Sequence, residues 1–172
     1  MSIITNAEVF SLARQNSGAD TAKAAPYLSE AIELDIKPAI KDNLLIDLTT
    51  YVESDDPGTN EAFDLLLAGG TYEYNSIKYS FKGLKSATAY FAYARFIKGI
   101  DFNPTQFGLR VLDVDQSEQA NYKDKIQFAN DCISVANSYI YDCILYIKRM
   151  LPDYNDSCNY RKRRSKFKII GD

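Results

Sequence analysis

Residues 126–151 read Ile126-Gln-Phe-Ala-Asn-Asp-Cys-Ile-Ser-Val-Ala-Asn-Ser-Tyr-Ile-Tyr-Asp-Cys-Ile-Leu-Tyr-Ile-Lys-Arg-Met-Leu151, and this stretch decides the fold class. Its apolar residues recur every three or four positions, the period of one helix face. One stripe runs Ile126, Ala129, Ile133, Ala136, Ile140, Ile144, Ile147, Leu151. A second runs Phe128, Cys132, Val135, Tyr139, Cys143, Tyr146, Met150. Upstream, Asp115-Gln116-Ser117-Glu118 has the pattern of a capping box, and Pro152 cannot continue a helix. The spacing therefore predicts one long helix over about 117–151. A helix on the outside of a monomer needs one apolar stripe. Two stripes imply burial on two sides, either inside a single domain or with one stripe, the Tyr-bearing one, against another subunit.

Working outward, the region before this helix divides into short helices and a hairpin. Asn6 suits a cap, with Val9, Phe10, Leu12 and Ala13 as an apolar stripe ended by Asn16-Ser17-Gly18. A second helix spans roughly 20–35, with Ala24, Tyr27, Leu28, Ala31, Ile32 and Leu34 near helical spacing. Pro38 fits the first turn of a third, whose buried face is Ile40, Leu44, Leu45, Leu48 and Val52. Ser54-Asp55-Asp56-Pro57-Gly58-Thr59 is a break. A short helix through Glu61–Leu67 stops at Gly69-Gly70. Thr71–Tyr74 and Ile77–Phe81 are aromatic and β-branched arms around Asn75-Ser76, a β-hairpin signature over 71–81. Lys82-Gly83-Leu84 opens a helix through Lys98, apolar nearly all round and ended by Gly99, which reads as the central buried helix. Residues 102–115 read as irregular or extended, with a turn at Asn103-Pro104-Thr105 and a short strand at Leu109–Leu112. The expected architecture is mainly α: a single-domain helical bundle over 1–152 with a long C-terminal helix and one small β-hairpin, followed by a basic extended tail over 153–172.

Composition narrows the function classes. The 172 residues contain no His, which excludes Ser-His-Asp and Cys-His catalysis and removes the commonest metal ligand. There is no Trp, but 13 Tyr and 9 Phe. Tyr carries an apolar ring with a polar tip and suits surfaces buried in one state and wet in another. Cys132, Cys143 and Cys158 form no Cys-x-x-Cys pair, and the first two sit three helical turns apart, so they read as reduced core residues. Asp113-Val-Asp115-Gln-Ser117 has Glu118 where a calcium loop needs Gly, and a helix cap is the better reading. Asp55-Asp56 reads as a solvated turn, and Gly69-Gly70 lacks the Lys-Ser/Thr of a phosphate loop. No catalytic residue, cofactor or metal is expected. Met1–Thr5 has no basic and long apolar start, and no apolar run approaches the roughly 18 residues that span a bilayer, so neither a targeting segment nor a membrane partner is expected.

Charge is unevenly placed. Residues 161–172 carry six bases and one acid, net +5, while the other 160 residues carry 14 bases and 22 acids, net −8. An acidic body with a basic tail attracts copies of itself or another acidic surface. The tail residues Arg161, Lys162, Arg163, Arg164, Lys166, Phe167, Lys168, Ile169 and Ile170 are candidate partner contacts, as are Phe128, Val135, Tyr139 and Tyr146 of the second stripe. The alternation Lys166-Phe-Lys-Ile169 is strand-like and suits addition to a neighbour's sheet or groove. Basic residues also pair with phosphates, so transient contact with genomic DNA is a further expectation, although the cluster is short and the body acidic.

Three segments together resemble a known family. Leu66-Leu-Ala-Gly-Gly-Thr-Tyr72, Phe81-Lys-Gly-Leu-Lys85 and Ala89-Tyr-Phe-Ala-Tyr-Ala-Arg-Phe-Ile97 are similar to small virion proteins of tailed bacteriophages, including crAss-like phages of gut bacteria. Asn103-Pro-Thr-Gln-Phe-Gly-Leu109 resembles the family's Thr-x-x-Gly element, and the likeness covers roughly residues 60–112. The resemblance implies a neck or head–tail connector role: a ring of about a dozen copies below the portal protein, joined to other neck and tail proteins around the genome channel. It implies a place in the virion after synthesis in the host bacterial cytoplasm. It supplies no catalytic residues. The competing expectation is an intracellular helical adaptor or regulator that binds one protein partner.

Overall fold

The structure, a computed structural model, describes residues 2–14, 21–54, 59–99, 102–105, 108–111 and 122–157. The described chain is mainly helical, with a long C-terminal helix and an antiparallel hairpin. In order come α1 (Asn6–Leu12), a 3-10 turn (Thr21–Ala24), α2 (Ala25–Ala31), a π turn (Ile32–Ile36), α3 (Lys37–Ile40), α4 (Asp42–Glu53) and α5 (Glu61–Ala68). There follow β1 (Gly70–Tyr74), β2 (Ile77–Phe81), α6 (Gly83–Gly99), β3 (Phe102–Thr105), β4 (Gly108–Val111), α7 (Tyr122–Met150) and a closing 3-10 turn (Pro152–Ser157).

α6 is the axis of the core. Ten of its residues are buried, among them Ala87, Ala89, Ala92 and Ala94, and it meets α1, α2, α5 and α7. Small side chains let those neighbours come close, while Phe91, Tyr93 and Phe96 fill the larger gaps. Phe10 of α1 and Tyr27 of α2 meet Phe96 edge to face, with ring centroids 5.2 and 5.8 Å apart. Thr5 and Glu8 form a reciprocal capping box at α1, and Glu8 also pairs with Lys85 at 3.1 Å, tying α1 to α6. The Gly99 expectation needs correction. Gly99 is the last helical residue and does not take a positive φ; a Cβ there would fall on the Tyr27 ring. Close approach of Tyr27 requires this glycine, not a left-handed cap.

The α2–α4 region departs from the sequence reading in a second way. Pro38 does lie in the first turn of α3, but that helix stops at Ile40 and does not run on through Leu44 to Val52. The proline ring lacks an N–H and collides with the carbonyl four residues back in a regular helix. The chain widens into the π turn at 32–36, where the Lys37 N–H bonds the Ile32 carbonyl, and Pro38 rides in the short continuation α3. The break comes at Lys41, with φ 62°, and α4 starts at Asp42. Leu34 and Leu12, read as core-facing, are exposed for the same kind of reason: each sits at the edge of its stripe.

The hairpin matches its sequence signature. Thr71 to Tyr74 pair with Ser80 to Ile77, and Gly70 with Phe81. Asn75 and Ser76 both have positive φ, 52° and 62°, the two-residue turn that fits strand twist. At its open end the chain crosses itself. Gly69 (φ +82°) and Gly83 (φ +78°) pass so closely that a Cβ on Gly69 would lie 2.6 Å from Gly83 N. A Cβ on Gly83 would lie 2.6 Å from the Leu67 carbonyl oxygen. A second antiparallel pair joins β3 to β4, Phe102 opposite Val111 and Thr105 opposite Gly108. The sequence reading took 103–105 as a turn; these residues form a strand instead, Pro104 being tolerated where an edge needs no donor. The Asp115–Glu118 cap, the start of the long helix before 122, and the breaks at 16–18 and 55–58 lie outside the described residues.

Gly69→Ala and Gly83→Ala should each destabilise the fold by about 2–4 kcal/mol, through strained φ and backbone overlap. Ser76→Gly, in the same hairpin, should stabilise it by up to about 1 kcal/mol, because glycine takes positive φ freely. Urea unfolding of the three variants checks the opposite signs.

Candidate assembly surface

The two stripes of α7 are adjacent arcs. At about 100° per residue they merge into one face covering roughly half the helix. Its centre is buried: Ala129, Cys132, Ala136, Ile140, Cys143, Ile144, Tyr146 and Ile147. These come from both stripes, so the second is not an open surface. Tyr146 is 1% exposed, and its hydroxyl donates to the Ala62 carbonyl at 3.1 Å. As a partner contact Tyr146 is therefore corrected to a core residue. Phe128, Val135 and Tyr139 are half-buried along the flank. Phe128 packs on Tyr93 and under the Arg14 guanidinium, 4.6 Å from the ring centre, and Tyr139 meets Tyr90 edge to face. Their inner faces thus serve the subunit itself. Cys132 and Cys143 are buried free thiols, as the sequence reading had them, and burial pushes both up from the ordinary thiol range. The tail residues Arg161, Lys162, Arg163, Arg164, Lys166, Phe167, Lys168, Ile169 and Ile170, with Cys158, lie outside the described residues.

Two exposed features were missed by periodicity. The first is the hairpin tip. Tyr72 is clamped between Tyr79, stacked at 5.4 Å, and Tyr146, edge-on at 4.9 Å. Arg149 donates to the Tyr72 hydroxyl at 2.8 Å and lies 4.0 Å over the Tyr79 ring. The base of the hairpin is thus fixed to α7, while residues 73–78 are all exposed. Tyr74 and Ile77, 38% and 55% exposed, stand directly opposite one another in the ladder. They form an apolar knob, with the Arg149 guanidinium 5.7 Å from the Tyr74 ring centre. Arm alternation hid it, because strand residues near a turn need not face a core.

The second feature is a cleft between the π turn, α3 and α4, of about 140 Å³. Ile32, Leu45 and Thr49 form its floor, and Glu33, Lys37, Asp42 and Ile46 its walls. Ile46 is 51% exposed and Leu34, on the neighbouring turn, 60%. An apolar residue off the Leu44-Leu45-Leu48 stripe was the available signal. Lys37 pairs with Glu33 at 3.1 Å and with Asp42 at 3.8 Å. Asp42, Asp47 and Glu53 are exposed on α4, which contains no base. Residues 25–53 carry six acids and two bases, so this side of the subunit is acidic. On α6, Arg95 pairs with Asp35 at 2.9 Å; burial raises the Asp35 carboxyl, and the arginine offsets this only in part.

The C-terminal 3-10 turn meets the outer side of α4. The Tyr154 hydroxyl donates to Asp47 at 2.6 Å, and its ring lies 6.2 Å from Phe63. The closing 3-10 turn therefore lies beside the acidic helix. Among the described residues no group of three or more His, Cys, Asp or Glu is placed to hold a metal ion, and no helix is long and apolar enough to cross a membrane.

A mainly helical protein with two unlike exposed apolar patches is what these features define. The chain belongs to DUF6712, a family of unknown function, whose model matches residues 36–164. That span starts at Ile36, the last residue of the π turn, and takes in α3, α4, the hairpin, α6 and α7; Ile32 and Glu33 of the cleft precede it. No curated protein and no solved structure matches the chain.

The Tyr154 contact makes a pH prediction. Its hydrogen bond to Asp47, with burial second, pushes the phenol up to about 12. A raised phenol favours the folded state below the ordinary value near 10, and that contribution is lost as pH rises from about 10 through 12. Burial also raises the Tyr93 and Tyr146 phenols, so tyrosine-ring NMR should show several late-titrating phenols, one of which disappears in Tyr154→Phe, and that variant should lose part of the high-pH fall in stability.

Proposed function

We propose that the chain is a non-enzymatic structural subunit of a head–tail connector ring in a tailed-phage virion, joining the portal protein to the tail around the genome channel. The observation that carries this reading is the pair of unlike surfaces: a protruding knob, Tyr74 with Ile77, and an acidic cleft with exposed Ile46. A ring is built from a heterologous interface repeated until the rotation closes, so each copy must offer two different complementary patches. A two-fold dimer would need only one self-complementary patch. The sequence resemblance over residues 60–112 supports the same reading and supplies its place in the virion. The basic tail, residues 161–170, adds a contact to an adjacent subunit or to the portal. An adaptor with a single partner would bind one to one and stay monomeric alone.

Removing residues 159–172 should weaken assembly while leaving the body folded. Sedimentation velocity on full-length and truncated chains, with urea unfolding of both, tests this. The expected result is a large discrete oligomer lost or reduced on truncation, with the unfolding midpoint unchanged. Equal assembly of both chains would remove the tail from the account, and a full-length chain that binds a single partner one to one would favour the adaptor.

A further inference from the structure

We propose that the cleft between the π turn and α4 is the receptor for the C-terminal segment Lys166–Ile170 of a second copy. This rests on the ring reading and adds the contact that would link neighbours. Three observations point to that occupant.

The first is charge. Residues 25–53 carry six acids against two bases, and with Arg95 of α6, which pairs with Glu30 and Asp35, this side still has twice as many acids as bases, while the tail carries six bases against one acid. At the cleft, Glu33 and Asp42 share Lys37. These are solvent-exposed pairs, weak enough to exchange partners. Asp47 and Glu53 extend the acidic surface along α4.

The second is pattern and size. In an extended chain, Lys166 and Lys168 point to one side and Phe167 and Ile169 to the other. The apolar side suits the floor of Ile32 and Leu45 beside exposed Ile46, and the basic side suits the Glu33–Asp42 wall. A cavity of about 150 Å³ holds a benzene-sized group. The cleft, at about 140 Å³, therefore suits one ring or branched side chain, Phe167 or Ile169.

The third is reach. Tyr154 is hydrogen-bonded to Asp47, and residues 158–165 separate the described turn from the segment. Eight residues extend to roughly 26 Å, which reaches a cleft on the same copy or on a neighbour, and the ring reading selects the neighbour. The arrangement is directional: each copy gives a tail and receives one.

A benzophenone amino acid in place of Ile46, in the full-length chain, tests the proposal. Ile46 is exposed, so the change leaves the core intact. Isotopically heavy and light chains are mixed under conditions of self-association, irradiated, and the captured peptide is identified by mass spectrometry. The expected product joins position 46 of one isotope to residues 159–172 of the other. Glu33→Lys with Asp42→Lys should cut its yield roughly tenfold, and raised salt should cut it too. Capture of the same chain's tail overturns the choice of a second copy. Capture of another segment, or of nothing, within an assembled oligomer overturns the cleft while leaving the ring reading standing. A chain that stays monomeric and captures nothing overturns both.

Discussion

The fold turns on a crossing with no room for a side chain. Gly69 and Gly83 bring the end of α5 and the start of α6 into backbone contact, both with positive φ, and the hairpin is the loop that this crossing closes. Because the crossing is fixed by sterics, the hairpin cannot lie along α6. It leans on the C-terminal half of α7 instead, where Tyr146 and Arg149 receive Tyr72, Tyr79 and Phe81. Further out, Arg149 reaches over the Tyr74 ring, and Ile77 is left more than half exposed. Core packing and exposed knob are thus two consequences of one constraint.

The second helix layer follows a comparable logic. Pro38 cannot sit in an unbroken helix, and the π turn relieves the collision by widening the chain just before it. Widening shifts the register of the side chains that follow. Leu34, within the turn, is left outside the core that Ile32, Ile36, Ile40 and Leu44 fill, and beyond the break at Lys41 Ile46 lies off the buried face of α4. The cleft is the space between the displaced turn and α4. A backbone irregularity forced by one proline therefore yields an apolar depression in the middle of an acidic surface.

Local signals were read well and surface geometry poorly. Asn75-Ser76 between aromatic arms, the Ala-rich helix ended near Gly99, and the 126–151 periodicity are short-range patterns with one structural answer each, and α6, α7 and the hairpin carry them. The two stripes of α7 misled because periodicity counts apolar positions without saying how far apart the arcs stand. Separated by about a quarter-turn, they fuse into one face, and Tyr146 falls inside it. The helix read from Pro38 through Val52 is two, α3 and α4, because Lys41 takes φ 62° between them and a lysine carries no break signal in sequence. Ile46 carried a faint signal as an apolar residue off its helix's stripe, whereas Ile77 carried none, since only the packed fold tells an apolar residue with neighbours from one without.

The central claim is that the chain assembles head to tail, each copy meeting its neighbours through unlike surfaces. Light scattering of the purified full-length chain over a range of concentration and salt tests it most directly. A large discrete mass, a whole multiple of the 19.4 kDa chain that holds constant over a range of concentration and falls as salt rises, is the predicted result. A mass that stays at one chain at every concentration, even when portal protein is added, would contradict it.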